Sequence, residues 1–575
     1  MTALSDEQRA IVDAPTSPLS VIACAGSGKT RTAVHRLVEM RRRLGEQRGR
    51  VALLSFSNIA VDTFRENYRR LAQTLPITAG RDRIDIDTLD SFITTHVLRP
   101  HAHRTMGAQQ AAYFVLGGEP FLAGFTFMTP QRFPLSITTM RVGFRNGDFH
   151  FFYNVHSQSV DLNSTTALNL IARLGRTGAY THDLGRYWCY RALREQPVVL
   201  RALVRRYPHI LIDESQDIGP CHQAILDLLV NAGMEISLIG DPNQGIYEFS
   251  GADGTFLTEY GNRPGIASFS LTKNYRSVPA ILALANQLSN RNDTHDREPP
   301  ETQHGVYFAP YRPNDRDQFI EAFEATVVAA GLDPSRSAIL CRAARLAGEL
   351  SGADTPVGYG LVKDLVHAAI SRDKRRDYKK AFESLARCVV GLLDDPPQNL
   401  LSALQSPAKH PETRPVRRLL WQFVRDSDVG LPLSTLLADT EWLPLLIERV
   451  RRLLASLRDE FGLASSANLG TKLTRRDLPH ASLVAAEDLG TQRNARIRVD
   501  TVHKAKGESL DAVLYMATRE HIEAMLNGVN TEVGRIGYVA VTRAKTLLWL
   551  GVPAVALPGL RQRLTDFGFR EVGTA

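Results

Sequence analysis

Short apolar runs and segments of helical period alternate through the first part of the chain. Leu19–Ala23 and Val51–Phe56 read as buried strands, and between them Val34, Leu37, Val38 and Leu44 form the stripe of a helix. Strand–helix alternation of this kind predicts a parallel sheet covered by helices on both faces. From about Arg99 to Gln196 the pattern changes. Arg141–Val155 (RVGFRNGDFHFFYNV) reads as two strands around Asn146-Gly147, a dipeptide favoured in type I′ hairpin turns. The stretch is therefore expected to be an inserted module. The α/β pattern resumes at Ile210–Asp213 and Ile236–Asp241.

A second α/β block follows, with strands predicted at Gly305–Ala309, Ala338–Cys341, Ile497–Thr501, Ala512–Met516 and Leu547–Leu550. Between Ser351 and about Thr491, Leu, Ala and Arg recur at helical spacing with little strand signal, which predicts a helical insertion. The expected division places a first α/β domain at residues 1–98 and 197–275, interrupted by a subdomain at 99–196. The second occupies 276–350 and 492–575 and is interrupted by the helical segment 351–491.

The length of 575 residues suits several domains, since single cores stop growing near ~250–300 residues. No apolar run approaches the ~20 residues that span a bilayer. The amino terminus, MTALSDEQRAIVDAP, has acidic residues and no apolar signal core, so neither export nor a membrane partner is expected. The five cysteines, Cys24, Cys189, Cys221, Cys341 and Cys388, are scattered without CxxC spacing. They argue against a disulfide framework, a zinc ribbon or an iron–sulfur cluster, and suit a reducing cytoplasm. A net charge of +8 is weak support for a nucleic-acid partner, which binds largely through its phosphates.

The chemistry begins at ACAGSGKT (Ala23, Cys24, Ala25, Gly26, Ser27, Gly28, Lys29, Thr30), which follows an apolar strand and opens a helix. Small residues there let backbone N–H groups turn inward onto phosphate oxygens, and the helix N-terminus adds favourable charge. Lys29 is expected to reach the β- and γ-phosphates of ATP and Thr30 to hold Mg²⁺. Ala23 stands where the usual pattern has glycine. Downstream, LIDESQD (Leu211–Asp217) runs apolar residues into two carboxylates, as at the active-site end of a buried strand. Asp213 is the expected Mg²⁺ ligand, and Glu214 the base that polarises the attacking water. These two motifs specify a P-loop ATPase and no more.

Five further motifs appear in order: SFSN (Ser55–Asn58), LIGDPNQGIY (Leu238–Tyr247), NYRS (Asn274–Ser277), TVHKAKG (Thr501–Gly507) and YVAVTRA (Tyr538–Ala544). With the phosphate loop and DESQD, the set closely resembles the superfamily 1 helicases of the UvrD/Rep/PcrA type. The resemblance spans both α/β blocks but not the two insertions. It implies an α/β fold of two RecA-like parallel-sheet domains, each with an inserted subdomain. It also implies an ATP hydrolase and DNA helicase of 3′–5′ polarity that uses ATP and Mg²⁺ and binds single-stranded DNA or DNA ends.

The resemblance carries roles onto matched positions. Gln8 would meet the adenine edge, with Arg31 and Tyr275 sandwiching the base. Gln244 would sense the γ-phosphate, and Arg276 and Arg543 would reach it from the second block, where a planar guanidinium spreads charge over two oxygens. Phe56, Asn58, Thr88, Phe249, Thr501 and His503 would line the DNA groove. Core packing competes for Phe56 and Phe249, and a structural hydrogen bond for His503.

Three positions depart from the family pattern. FSGA (Phe249–Ala252) lacks the arginine of the usual aromatic-Arg-Gly-Ala segment, and Asp90 stands in TLDSF (Thr88–Phe92) where a histidine is common. KGES (Lys506–Ser509) replaces Lys-Gly-Leu-Glu, so the ribose-binding acid would be Glu508, shifted by one. All three bear on coupling to DNA more than on hydrolysis. The sequence ends soon after YVAVTRA, leaving no room for an appended nuclease domain. Compact chains of this type include the helicase-like subunit of the Gabija antiphage system, which works beside an OLD-type nuclease. The GAYTHD segment (Gly178–Asp183) and the KGES variant resemble it. Two readings share every ATP-site residue: a translocating helicase, in repair or antiphage defence, and a DNA-sensing ATPase subunit that regulates a partner nuclease. An RNA-dependent motor is a third, because a stacking groove does not by itself distinguish the sugars.

Overall fold

The computed structural model describes residues 3–45, 48–72, 83–155, 158–247, 251–350, 357–407, 410–486 and 497–573. Two six-stranded sheets, each parallel throughout, organise the chain. In the first, the strand order is Ala267–Leu271, Leu19–Ala23, Glu235–Gly240, His209–Ile212, Val51–Ser55 and Ile84–Thr88. The central strands are apolar on both faces because helices cover both, and Val51–Ser55 is buried at every position. Ile22 pairs with Gly240, and Ile212 with Leu238. That register brings Ala23, Asp213 and Asp241 to the same carboxyl edge, which is where open α/β sheets present their sites.

Two strands of this sheet escape the sequence pattern. Ile84–Thr88 (IDIDT) and Ala267–Leu271 (ASFSL) lie at the two edges. An edge strand is covered less completely, and only Ile86 and Leu271 among their residues are buried. The second sheet runs Arg498–Thr501, Ala338–Cys341, Leu510–Met516, Ala544–Pro553, Gly305–Tyr311 and Arg570–Glu571. Its five longer strands coincide with the predicted ones, and the last, two-residue strand was not anticipated. The chain passes between the two bodies at Asn274–Val278. Ser277 Oγ donates to Ala544 O at 2.7 Å and Val278 N to Lys545 O at 2.8 Å, and Val278 is buried in the second body's core.

The first insertion packs into the same core as the first sheet, whereas the second builds a core of its own. Arg141–Arg145 and Asp148–Val155 pair antiparallel about Asn146 and Gly147, whose φ angles of 55° and 80° are those a type I′ turn requires. A third strand, Gln158–Asp161, completes the small sheet. Its inner face packs on the helix His182–Glu195 through Phe149 and Phe151 against Tyr187. Between 357 and 486 the described residues are helical and loop, around a core that includes Leu385, Leu420, Trp442 and Leu446.

One buried charge holds that helical insertion together. The Arg372 side chain is 4% exposed. It donates to the carbonyls of Val424, Leu431 and Pro432 and pairs with Asp373, whose carboxylate in turn accepts Ser434 N at 2.8 Å. Arg372→Met strands the carboxylate and three carbonyls in the interior. Breaking a buried pair costs about 3–5 kcal/mol, so the denaturation midpoint of the variant is expected to fall well below that of the parent. Coincident denaturation curves would show that the guanidinium does not hold the 424–434 segment.

Candidate active site

After Ala23 the backbone turns through Cys24–Gly28, and the helix Lys29–Leu44 begins. Gly26 and Gly28 have φ of +73° and +80°, a region open to glycine at no steric cost. Each also admits a neighbour. A Cβ at Gly26 would lie 2.6 Å from Arg276 Cβ, and one at Gly28 would lie 2.7 Å from Gln8 Nε2. Asn274 Nδ2 donates to Ala25 O at 2.6 Å and Tyr275 N to Gly26 O at 2.9 Å, so NYRS is laced onto the phosphate loop. On the other side Gln8 and Ser5 form a capping box, and Gln8 Nε2 donates to Ser27 O at 3.0 Å. Gln8 is 2% exposed. Here its amide braces the loop from behind.

A cavity of about 510 Å³ opens in front of the loop, within the range of small-molecule sites. Gly26–Thr30, Glu214, Gln244, Tyr275, Arg276 and Arg543 line it, so most of the expected ATP-site residues converge there. Ala23, Cys24 and Ala25 lie behind them, buried, and Arg31 is half-buried on the helix's first turn. Arg297, Gly507, Ser509, Asp511 and Lys545 complete the wall and were not anticipated. Glu508 does not line it. Its carboxylate turns onto Arg498, while Gly507 and Ser509 on either side face the cavity. The acid at the wall is Asp511, which pairs with Lys545 at 3.0 Å.

The two carboxylates of the DES motif differ in setting. Asp213 is 1% exposed, and its Oδ1 has no hydrogen-bond partner. Burial first, then the charge of Glu214, pushes its carboxyl up to about 8. Burial acts on Glu214 in the same sense, but Lys29, Lys506, a hydrogen bond from Gln216 and Arg543 outweigh it and hold that carboxyl below its ordinary value. Glu214 also sits at φ 53°, the left-handed region, as the strand ends. Such a strained residue at an active-site edge is held by its surroundings. Gln216 does the holding: its Nε2 donates to Glu214 Oε2, and its Oε1 accepts Asp241 N at 3.0 Å.

From there one relay crosses the cleft. Asp241 Oδ2 accepts Gln244 Nε2 at 2.7 Å, and Gln244 Oε1 accepts Arg543 Nη2 at 2.8 Å. Arg543 is 1% exposed, and its other bonds go to the carbonyls of Glu508 and Val539 and the Thr542 hydroxyl. Arg276 donates to Thr542 O at 2.7 Å. Burial, then the neighbouring Arg543, brings the Arg276 guanidinium down to about 9, still charged at neutral pH. Among the described residues neither arginine pairs with a carboxylate.

Sequence reasoning missed a buried ion pair beside this relay. Lys506 Nζ, from the second body, reaches Asp217 Oδ1 and Oδ2 at 2.6 and 2.7 Å, Gln244 O at 2.8 Å, and the face of Tyr247 at 4.8 Å. The side chains are 7% and 3% exposed. Both residues stand inside quoted motifs, and that was the only signal available.

The expected groove residues are more dispersed. Phe56 is half-buried with its ring edge-on to His222, Asn58 is exposed at the start of the helix Asn58–Ala72, and Thr88 caps the helix Leu89–Ile93. Thr501 is 9% exposed at a strand end. His503 Nε2 is bonded to Ile246 O at 3.1 Å, the structural role weighed against DNA contact. Phe249 lies outside the described residues.

Lys506→Met leaves Asp217 buried without its cation, a loss of about 3–5 kcal/mol for broken pairs of this kind. The variant is expected to melt earlier and to lose DNA-stimulated turnover. Adding Asp217→Leu should restore most of the melting temperature, because removing both charges leaves none stranded. Parental stability of the single variant would show that the pair carries little weight.

Comparison with known proteins agrees with this geometry. The UvrD/REP helicase N-terminal domain matches residues 4–122 and 163–264, and the UvrD-like helicase C-terminal domain matches residues 362–553. ATP-dependent DNA helicase UvrD2 of Mycobacterium tuberculosis is 26% identical, over 97% of this chain and 80% of the relative. DNA helicase II of Haemophilus influenzae is 24% identical over 95% and 83%. ATP-dependent DNA helicase PcrA of Leuconostoc citreum is 25% identical over 55% and 44%. No helix among the described residues is long and apolar enough to cross a membrane. Two RecA-like sheets, a phosphate loop facing paired arginines across a cleft, and matching domains on both bodies lead to one conclusion: the chain belongs to the UvrD/REP helicase family, whose members are ATP-hydrolysing enzymes.

Proposed function

We propose that the chain hydrolyses ATP between its two α/β bodies and uses each closure and opening of that cleft to move 3′ to 5′ along single-stranded DNA. The observation that carries this reading is the pair Arg276, part-buried, and Arg543, buried, which line the cavity with the phosphate loop and, among the described residues, form no ion pair with a carboxylate. Charges so placed favour a polyanion in the cavity. The names of the relatives, all DNA helicases, support DNA as the track.

The residues present also fit a divalent cation. Asp213 Oδ1 is buried without a partner at the end of its strand, and Thr30 lines the cavity. Together they would hold Mg²⁺, which when bound supplies neutralising charge at the phosphate oxygens. The chain's own groups do the rest. Backbone amides of Gly26–Thr30 and the Lys29 ammonium bind and orient the phosphates. Glu214 remains ionised and takes up the proton of the attacking water on Oε1, the oxygen not engaged by Gln216. Arg276 and Arg543 meet the charge that develops on the transferring group. Because Arg543 is bonded to Gln244, its movement onto phosphate is transmitted to the loop that leads toward the groove. There Phe56, Asn58 and Thr88 on one body and Thr501 and His503 on the other would hold the strand by stacking and polar contacts that read no sequence.

Three experiments test the reading. Glu214→Gln keeps the side chain's shape and removes the base; it is expected to bind ATP normally, turn over at least a hundredfold more slowly, and remain trapped on DNA. Loss of nucleotide binding in that variant would make Glu214 structural. Arg543→Ala should lower kcat by roughly 10³-fold with little change in nucleotide affinity, and Arg543→Lys should rescue poorly because a point charge cannot reproduce the fork. Normal turnover in Arg543→Ala with single-stranded DNA present would rule out the cleft as the catalytic site. Finally, a 3′-tailed duplex should be unwound in an ATP-dependent assay. Stimulated hydrolysis without displacement would instead identify a DNA-sensing ATPase of the kind that regulates a partner nuclease.

A further inference from the structure

Asp90, which departs from the family pattern, is the meeting point of three chain segments. It is the second residue of the short helix Leu89–Ile93, next to the cap residue Thr88. Arg186, from the inserted helix His182–Glu195, donates to both carboxylate oxygens, Nε to Oδ1 at 3.2 Å and Nη2 to Oδ2 at 2.9 Å. His182 of the same helix lies 3.3 Å from Oδ2. His222 Nε2 reaches Oδ1 at 2.9 Å from the helix Pro220–Asn231, which starts just beyond the turn Ser215–Asp217 of the acidic motif.

The other contact of His222 leads to the groove. Its imidazole side chain is 7% exposed and stands edge-on to the ring of Phe56, with centroids 5.6 Å apart and planes at 81°. Burial, and next the Arg186 guanidinium, keeps the imidazole's pKa below its ordinary value. At neutral pH it is uncharged and donates its Nε2 hydrogen to Asp90. The bidentate arginine already balances the carboxylate, so charge alone does not require a histidine. Any short donor could fill that place. Only a ring supplies the edge against which Phe56 rests.

We propose that His222 is a positioning residue for DNA: anchored on Asp90, it fixes the Phe56 ring in the orientation that stacks on a base, and it ties the groove floor to the helix that follows the acidic motif. The proposal rests on the reading of Phe56 as a base-stacking ring. It accounts for the carboxylate in TLDSF, which serves as the anchor of a ring-orienting contact in this chain.

The test uses the full chain, with oligothymidylate as the single-stranded probe and ATP turnover as the readout. His222→Gln keeps a donor for Asp90 and removes the ring. It should melt as the parent does and hydrolyse ATP without DNA at the parental rate. The oligothymidylate concentration for half-maximal stimulation should rise roughly five- to tenfold, the lower end of what losing one stacked base does, with kcat at saturating DNA unchanged. His222→Phe keeps the ring edge and loses the donor, so it should lower the melting temperature while half-saturation stays closer to parental. Phe56→Ala should raise half-saturation at least as much as His222→Gln, and the double variant should be no worse than Phe56→Ala alone, because the two act as one unit. Parental half-saturation in His222→Gln beside a weakened Phe56→Ala would overturn the positioning role and leave the groove intact, as would additive effects in the double variant. Parental half-saturation in Phe56→Ala would overturn the groove reading, and the proposal with it.

Discussion

Withdrawing Arg543 wholly and Arg276 partly from water, bonded to carbonyls, a hydroxyl and an amide but, among the described residues, to no carboxylate, costs free energy that neutral acceptors only partly return. The fold tolerates this because the guanidiniums face a cavity shared with Lys29 and the phosphate-loop amides, where a polyanion would offset the cost. Much of the local design follows from that imbalance. Arg276 is pinned against Gly26, where nothing larger than a hydrogen fits, and Asn274 binds the same segment to Ala25 O. The glycines of the loop are thus as much about admitting a neighbouring segment as about curling round phosphate.

The two bodies meet at one short loop, residues 244–246. Three successive carbonyls, of Gln244, Gly245 and Ile246, accept from Lys506, Arg535 and His503 respectively, all from the second body. The side chain of Gln244 accepts from Arg543 as well. A loop gripped at four points cannot shift piecemeal, because freeing one carbonyl strands a buried charge from another. On the proposed mechanism, motion at the phosphate end would reach Tyr247 as a unit.

How much of this was legible in the sequence depends on how local the physics is. Strands buried on both faces are runs of Val, Ile and Leu, and these were found. IDIDT and ASFSL were not, because an edge strand needs only one apolar face and its polar half resembles loop. The phosphate loop and DES could be placed because backbone geometry fixes their residues at short spacing, and NYRS only through the resemblance of the whole motif set. The pair of Lys506 with Asp217 forms between segments far apart in the chain, and each partner alone looks like an ordinary solvated charge. Glu508 shows the converse limit. The resemblance implies a ribose contact for it, and the loop that carries it turns its carboxylate toward Arg498 while its neighbours Gly507 and Ser509 face the cavity.

Asp90 extends the same point to residues that break a pattern. A carboxylate can accept about four hydrogen bonds, and this one has four contacts, from Arg186, His182 and His222. Once so engaged it cannot also approach a DNA phosphate, which it would repel. On the proposed reading the carboxylate thus serves as an internal anchor rather than as a direct DNA contact. What the groove loses in phosphate attraction has to come from stacking and from more distant basic residues, so the geometry of Phe56 matters more here than in a groove with a cation at position 90. The inserted helix is drawn into the same arrangement, since Arg186 and His182 leave the anchor only if Asp90 is left unpaired. In this chain the first insertion is thereby joined to the segment that carries Thr88 by a part-exposed ion pair rather than by packing alone.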